Sequence, residues 1–190
     1  MVKKIQIFFI LLIMIPLLHG CATGVAVGSR AGVSIAEERG LGGNIDDATI
    51  ETKIAALWLQ HDPKIFLKVG SEVYEGRVLL TGIVDNPEHR LEAAKLVWQI
   101  NEVKEVINEI HITERGVDGY LKSSWITAKL LSKMTFDKRI LSINYNIETV
   151  NQIIYIMGIA QNQEELDRVI QHAKNIANVK KVINYVRIKR

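Results

Sequence analysis

The sequence contains only one cysteine and three prolines among its 190 residues, and aromatic residues make up just 6% of it. A single cysteine excludes an intramolecular disulfide framework and any metal site built from several cysteines. A net charge of +3 is too small for a nucleic-acid-binding protein unless the basic residues form a strongly localised patch. Hydrophobic residues make up 48% and charged residues 24% of the chain, which is typical of one or two folded domains.

The one long apolar run lies at the N-terminus, where two lysines precede residues 5–18. Its length fits the ~7–15 apolar residues of a secretory signal peptide and falls short of the ~20 that span a bilayer. The run ends in Leu18-His19-Gly20-Cys21, which resembles the lipobox of bacterial lipoproteins. We therefore expect residues 1–20 to be a signal peptide and Cys21 to be lipidated.

Ala22 follows the cysteine, and in lipoproteins of this kind the absence of Asp at that position implies sorting to the outer membrane. The resemblance thus implies a lipid-anchored protein that faces the periplasm. A cleaved signal peptide that leaves an unmodified cysteine, or an uncleaved anchor, is the alternative.

Residues 22–44 are rich in glycine, alanine, valine and serine and show no period, so we expect residues 21–45 to form a lipidated, flexible tether. The remainder repeats itself. Residues 101–112 read NEVKEVINEIHI and residues 177–188 read ANVKKVINYVRI, and Val106 and Val182 give the offset of 182 − 106 = 76. Because the same offset aligns Gly82 with Gly158, a duplication is the simplest explanation. We expect two domains, at 46–114 and 118–190.

Each repeat shows the same order of elements, helix–strand–strand–helix–strand. Asn86-Pro87 is a good start for the second helix, and Glu75-Gly76 a good hairpin turn. The predicted fold is α+β: two tandem domains, each αββαβ, with a three-stranded mixed sheet and two helices on one face. The crossover through the second helix should make the last two strands parallel. The predicted elements are 47–60, 65–71, 77–82, 87–100 and 106–112, then 124–136, 140–147, 152–158, 163–176 and 182–188.

The motifs in these repeats resemble the BON domain (bacterial OsmY and nodulation). They are Val-Leu-Leu-Thr-Gly at 78–82 with Val-Lys-Glu-Val-Ile-Asn at 103–108, and Ile-Met-Gly at 156–158 with Val-Lys-Lys-Val-Ile-Asn at 179–184. Two such domains behind a lipobox resemble the dual BON-domain outer-membrane lipoproteins. The resemblance implies an envelope-integrity lipoprotein whose second domain binds anionic phospholipid, notably phosphatidylglycerol, and which can gather at division sites.

Charge is divided unequally between the two domains. Residues 46–117 contain eight basic and thirteen acidic residues, a net charge of −5, whereas residues 118–190 contain twelve basic and six acidic residues, a net charge of +6. A basic domain of this kind favours an anionic partner, such as a lipid surface. An ordinary solvated face, or an electrostatic match to the acidic first domain, explains the charge equally well.

The first helix of the second domain carries two stripes at helical spacing. Ile126, Leu130 and Met134 form the core stripe, because their first-domain counterparts are also apolar. Trp125 and Phe136 lie on a different stripe with Lys129 and Ser132, and their counterparts Thr49 and Gln60 are polar. Aromatic rings beside lysines favour an interfacial membrane contact; packing of Trp125 on its own sheet or on the first domain is the alternative. The predicted lipid-binding set is Trp125, Ile126, Lys129, Lys133, Met134 and Phe136.

The sequence contains no motif that indicates catalysis. The histidines are isolated, no metal-binding spacing occurs, no glycine-rich phosphate loop follows a strand, and no nucleophile motif is present. We therefore expect no enzyme activity, no cofactor, no metal and no nucleic-acid partner. The alternative to lipid binding is a chaperone-like or adaptor module that docks envelope proteins through its sheet edges or its acidic first domain.

Overall fold

The computed structural model describes residues 40–113 and 120–189. The first domain consists of helix α1 (Gly40–His61), the short helix α2 (Pro63–Lys68), strands β1 (Val69–Tyr74) and β2 (Arg77–Val84), helix α3 (Pro87–Val97) and strand β3 (Glu105–Ile112). The second domain repeats this order. It contains α4 (Tyr120–Phe136), a 3-10 turn (Ser142–Asn144), β4 (Tyr145–Val150), β5 (Ile153–Ala160), α5 (Gln163–Lys174) and β6 (Lys181–Ile188).

The sheet topology confirms the predicted fold class. Each domain has a three-stranded sheet, in the order β1-β2-β3 or β4-β5-β6. The first two strands of each sheet are antiparallel, and the second and third are parallel. The hairpin turns also agree with the sequence, since Glu75 and Gly76 have φ values of 56° and 75° and Asn151 and Gln152 have values of 51° and 67°.

Two predicted elements are wrong at their beginnings. Residues 65–68, expected in a strand, form most of α2, because the Asp62 side chain accepts a hydrogen bond from the Lys64 amide at 2.8 Å and Pro63 occupies the first turn. Residues 140–144, expected in a strand, precede β4 and include the 3-10 turn. Glu165 holds this segment by accepting from the Leu141 amide at 2.7 Å.

Helix α1 starts at Gly40, so residues 40–45, expected in the tether, are helical. Glycine costs a helix ~1 kcal/mol per residue relative to alanine, but it does not forbid one. Helix α4 likewise begins at Tyr120, four residues before the predicted start. The second helix of each domain starts where predicted, and Asn86 caps α3 by accepting from the Glu88 amide at 2.9 Å.

Each domain has its own hydrophobic core between its two long helices and one face of its sheet. In the first domain, Ile50, Ile54 and Trp58 of α1 pack with Val97 of α3 and Leu80 of β2. In the second, Ile126, Leu130 and Met134 of α4 pack with Val169 of α5 and Ile156 of β5. The predicted core stripe is therefore confirmed, with all three α4 residues fully buried.

The helix-free faces of the two sheets pack against each other. Tyr74 and Leu79 of the first domain form one buried cluster with Tyr155 and Met157 of the second. Polar contacts surround this cluster: a hydrogen bond joins His111 Nε2 to the Tyr155 hydroxyl at 2.8 Å, and the guanidinium of Arg77 donates to the Tyr185 carbonyl at 2.9 Å. Both domains thus belong to one compact unit.

A candidate lipid-facing helix

Helix α4 is fixed to its sheet along one side only. Its core stripe is buried against β4 and β5, and Thr127 donates a hydrogen bond to Thr149 of β4 at 2.8 Å. The remainder of the helix circumference faces away from the core. The helix therefore presents a rigid outer surface whose composition the core does not dictate.

The outer surface of α4 carries large apolar side chains. Phe136 is 84% exposed, Trp125 is 50% exposed and Leu131 is 39% exposed. Lys129 and Ser132, from the same predicted stripe, are also exposed, and Lys133 is partly buried at its edge. Trp125 is consequently a surface residue, and it lies on the same helix as the exposed Phe136 and the lysines, with the spacing that puts them on one stripe.

Two members of the predicted lipid-binding set do not belong to this surface. Ile126 and Met134 have no exposed surface, because both lie inside the core of the second domain. They cannot contact a ligand on the outside of the helix in this conformation. The corrected set consists of Trp125, Lys129, Lys133 and Phe136, with Leu131 added.

The charge on this surface is of one sign. No acidic residue occurs in α4, and within the described ranges Lys122, Lys129, Lys133 and Lys138 form no salt bridge or side-chain hydrogen bond. The first domain differs, since Lys53, the counterpart of Lys129, pairs with Glu102 at 2.5 Å. The residue equivalent to Glu102 is Asn178, so the second domain lacks the acid that would neutralise Lys129.

Asp137 is the first acid after the helix, and it is already engaged. It lies 3.0 Å from His172 Nε2 and 3.6 Å from Arg139 Nε. The hydrogen bond from His172, followed by that from the Arg139 amide, holds the pKa of the Asp137 carboxyl below its usual range. Asp137 therefore stays ionised but directs its charge toward α5 and Arg139 rather than toward the lysines of α4.

Sequence reasoning missed Leu131, Lys122 and Lys138 as members of this surface. A helical wheel would have placed Leu131 outside the core stripe, and the lack of acids in α4 was visible in the sequence. Cys21, the predicted lipidation site, lies outside the described residues. Within 40–113 and 120–189 no helix is long and apolar enough to cross a membrane, and no cluster of His, Cys, Asp and Glu could hold a metal ion.

Comparison with known proteins shows which family the two repeats resemble. The BON domain model matches residues 46–114 and 122–190. A protein of Anaplasma centrale, described as an uncharacterized protein in the gshII 5′ region, is 47% identical over 149 residues, which cover 76% of this chain and 96% of that one. The outer membrane lipoprotein DolP of Haemophilus influenzae is 31% identical over 170 residues, which cover 87% of each chain.

A further relative is the osmotically-inducible protein Y of Escherichia coli K12, which is 25% identical over 190 residues that cover 94% of each chain. The two matches to the family model together cover most of the sequence, and they coincide with the two αββαβ units. The chain belongs to the BON-domain family, and it contains two BON domains in tandem.

Proposed function

We propose that this protein is a periplasmic lipoprotein, anchored in the outer membrane through Cys21, whose second BON domain binds anionic phospholipid through the outer surface of α4. Phosphatidylglycerol is the proposed lipid, and support of envelope integrity, including at division sites, is the proposed role. The observation that carries the proposal is the exposure of Trp125 and Phe136 on a helix without acidic residues, beside lysines that have no partner among the described residues.

Two kinds of side chain on α4 would contribute to binding: aromatic rings and lysines. Aromatic rings such as Trp125 are favoured at the depth of the headgroups, where one side of the ring is apolar and the other is hydrated. Each lysine near an anionic surface contributes ~1 kcal/mol, and salt screens this term. An acyl anchor at Cys21 would keep the domain close to the membrane, so that a weak contact of this kind is sufficient.

The relatives support the location. One of them, the Haemophilus influenzae protein, is named an outer membrane lipoprotein, and the lipobox at 18–21 supports the same anchoring here. A protein of this kind acts by binding rather than by catalysis. The proposal therefore assigns the exposed side chains of α4 to recognition of a surface and to no chemical step.

Co-sedimentation with vesicles tests the proposal. The chain from Ala22 onward, which includes the whole compact unit, is mixed with vesicles rich in phosphatidylglycerol or with purely zwitterionic vesicles, at low and moderate salt. Trp125→Glu is compared with Leu59→Glu. Leu59 is 53% exposed on α1 of the first domain and therefore provides a matched control.

We expect selective binding to the anionic vesicles, loss of binding in Trp125→Glu and wild-type binding in Leu59→Glu. Both variants should fold, because both side chains are about half exposed. Equal binding by wild type and Trp125→Glu would contradict the proposal. An unfolded Trp125→Glu variant would also contradict it, because Trp125 would then be part of the core.

A second candidate function rests on α3 of the first domain. Leu91 of α3 is 69% exposed, and Trp98, the residue that caps the C-terminus of α3, is 56% exposed. Because Trp98 keeps helical backbone angles, their spacing of seven residues puts the two side chains on one side of the helix. This exposed apolar pair on the acidic domain could contact an envelope protein. Such a contact is what an adaptor or chaperone-like module requires. The test is Trp98→Glu in cells: loss of resistance to a large antibiotic, with vesicle binding intact, would support this function, and wild-type resistance would contradict it.

A further inference from the structure

A cleft of about 710 Å³ lies between the two domains, next to α4. Sites for small ligands commonly have volumes of ~300–1,000 Å³ and are mainly apolar. Apolar side chains from both domains line this cleft, and two of them, Leu67 and Leu131, are also partly or largely exposed to solvent. The apolar members of the lining are Leu67, Val69, Ile83, Val84, Ala128, Leu131 and Val150.

The two repeats differ at a position that lines the cleft. Asn146 of β4 reaches the first domain, and its side-chain amide donates to the Glu72 carboxylate at 3.2 Å. The offset of 76 pairs Asn146 with Gly70 and Glu72 with Glu148. The equivalent contact between Gly70 and Glu148 cannot form, because glycine has no side chain.

Gly70 leaves accessible space rather than a packed contact. A Cβ atom at this position would meet only the Thr81 hydroxyl oxygen, at 3.4 Å, and the backbone of Gly70 is not in a glycine-specific conformation. A larger side chain is therefore compatible with the strand. Both Gly70 and Glu148 line the cleft, so the missing contact is replaced by open volume.

The charge in the cleft is negative. Among the described residues no cationic side chain lies within salt-bridge distance of Glu148, and burial raises the pKa of its carboxyl. The other two charged lining residues neutralise each other, since Lys68 Nζ lies 2.9 Å from Asp85 Oδ2. The lining therefore keeps the charge of one carboxylate, that of Glu148, which accepts a backbone hydrogen bond at Thr149 but has no cationic partner among the described residues.

We propose that the cleft binds an amphiphile with a cationic, ammonium-type head and a single alkyl chain. The ammonium group occupies the space beside Gly70 and pairs with Glu148, as Asn146 does with Glu72 in the equivalent contact. The alkyl chain lies along Ile83 and Leu131 and emerges at Leu67. This site prefers the opposite charge to the lysine-bearing surface of α4 and shares only Leu131 with the residues assigned to that surface.

An NMR titration of backbone amides tests the proposal with three ligands that share a ten-carbon chain: decylammonium, decanoate and decyl maltoside, each below its micelle concentration. The chain from Ala22 onward is used. We expect decylammonium to shift the amides that line the cleft at lower concentration than the other two ligands. Stronger binding of decanoate, or shifts confined to the outer surface of α4, would overturn the proposal.

Two variants localise the site. Gly70→Leu fills the cleft and should abolish the shifts, whereas vesicle binding through α4 stays unchanged. Glu148→Gln keeps the volume and should weaken decylammonium at least about tenfold while leaving decyl maltoside unaffected. Glu164→Gln, which removes an acid with a 75% exposed side chain on α5, is the matched control.

Glu148→Gln tests the proposal even if Gly70→Leu fails to fold, because it leaves the volume of the cleft unchanged. Wild-type affinity of Glu148→Gln for decylammonium would overturn the assignment of the head group. Undiminished shifts in a folded Gly70→Leu variant would overturn the cleft as the location.

Discussion

Two glycines determine how each strand pair can form. Gly82 and Gly158 have φ values of 135° and 143°, a region that side chains rarely adopt. A Cβ at Gly82 would lie 2.2 Å from the Lys68 carbonyl oxygen, and one at Gly158 would lie 2.0 Å from that of Asn144. The chain that enters the first strand passes directly over this residue, which explains physically why the motif in each repeat ends in glycine.

Gly158→Ala should therefore destabilise the protein by ~3 kcal/mol or more, because the new methyl group overlaps a backbone atom and the φ angle is strained. Gly70→Ala is the control, since a Cβ there has an ordinary contact and no conformational strain. Urea unfolding measures both. A Gly158→Ala variant as stable as Gly70→Ala would show that the strand entry can move.

Glu148 should make stability depend on pH. Its pKa in the folded state is raised by burial, so folding favours the protonated carboxyl, and this contribution is lost as the pH rises from the unfolded value of 4.5 through the folded value. Glu148→Gln should be more stable than wild type at neutral pH and equal to it in acid. Thermal unfolding across this range checks the prediction; a constant difference at all pH values would contradict it.

Residue types gave good predictions at the positions where one local contact decides the structure. Asn86-Pro87 and Glu75-Gly76 were readable because a cap and a tight turn each depend on a few neighbouring residues. The cleft, in contrast, could not be predicted from the sequence. It depends on Gly70 of one domain lying opposite Glu148 of the other, and no local pattern encodes that proximity.

At the scale of elements, α1 and α4 show how a duplicated helix diverges. Both keep the apolar core stripe, but the outer side of α1 pairs its lysine with Glu102, whereas the outer side of α4 leaves its lysines unpaired within the described residues. The core constrains one stripe only. The other stripe is therefore where a difference in function can arise without a cost in stability.

Replacing Lys122, Lys129 and Lys133 together with glutamine should weaken binding to phosphatidylglycerol vesicles by ~3 kcal/mol, or about a hundredfold, at low salt. The effect should shrink at moderate salt because the lost term is screened. The control is the triple change of Lys174, Lys180 and Lys181 to glutamine, which alters net charge equally on other elements. Equal losses in the two variants would mean that α4 has no special role.

The spacing of apolar residues predicted the long helices because their core stripes repeat at helical intervals. It failed at residues 65–68, where a short apolar run with β-branched character is equally compatible with a strand and a helix. The Asp62-Pro63 start decides that choice in favour of α2. The glycine-rich composition that predicted a tether also failed at Gly40, because glycine lowers helix propensity without ending the helix.

At the scale of the whole molecule, the two sheets share a buried cluster. Leu79 and Tyr74 contribute from one domain, and Tyr155 and Met157 contribute from the other. Burial raises the pKa of Tyr155 to about 12, so its hydroxyl remains protonated and available for the hydrogen bond with His111 at neutral pH. Because apolar burial and the surrounding polar contacts join the two sheets, we expect the two domains to unfold as a single cooperative unit.

Unfolding of the wild-type protein should therefore occur in a single calorimetric transition. Leu79→Asp should split it into two transitions, because the new charge is buried only when the sheets are packed together and each domain retains its own core. Leu91→Asp, at a 69% exposed position, should keep the single transition. A single transition in Leu79→Asp would mean that other contacts couple the domains.

Sequence analysis predicted two αββαβ domains but not their arrangement. Apolar and polar residues hardly alternate along β2 and β5. Residues 78–81 and 154–157 are all buried, so both faces of these two strands are covered. That continuous burial signals a covered second face. It does not identify the other domain as what covers it.

Quenching of tryptophan fluorescence by phosphatidylglycerol brominated in its acyl chains tests the lipid-facing role of α4 most directly. Trp58 is only 2% exposed, so Trp98→Phe leaves Trp125 as the one surface tryptophan of the described residues, and Trp125→Phe leaves Trp98. The predicted result is strong quenching in Trp98→Phe and little in Trp125→Phe on the same vesicles. Quenching in Trp125→Phe alone would show that the first domain, through α3, is the one that meets the membrane.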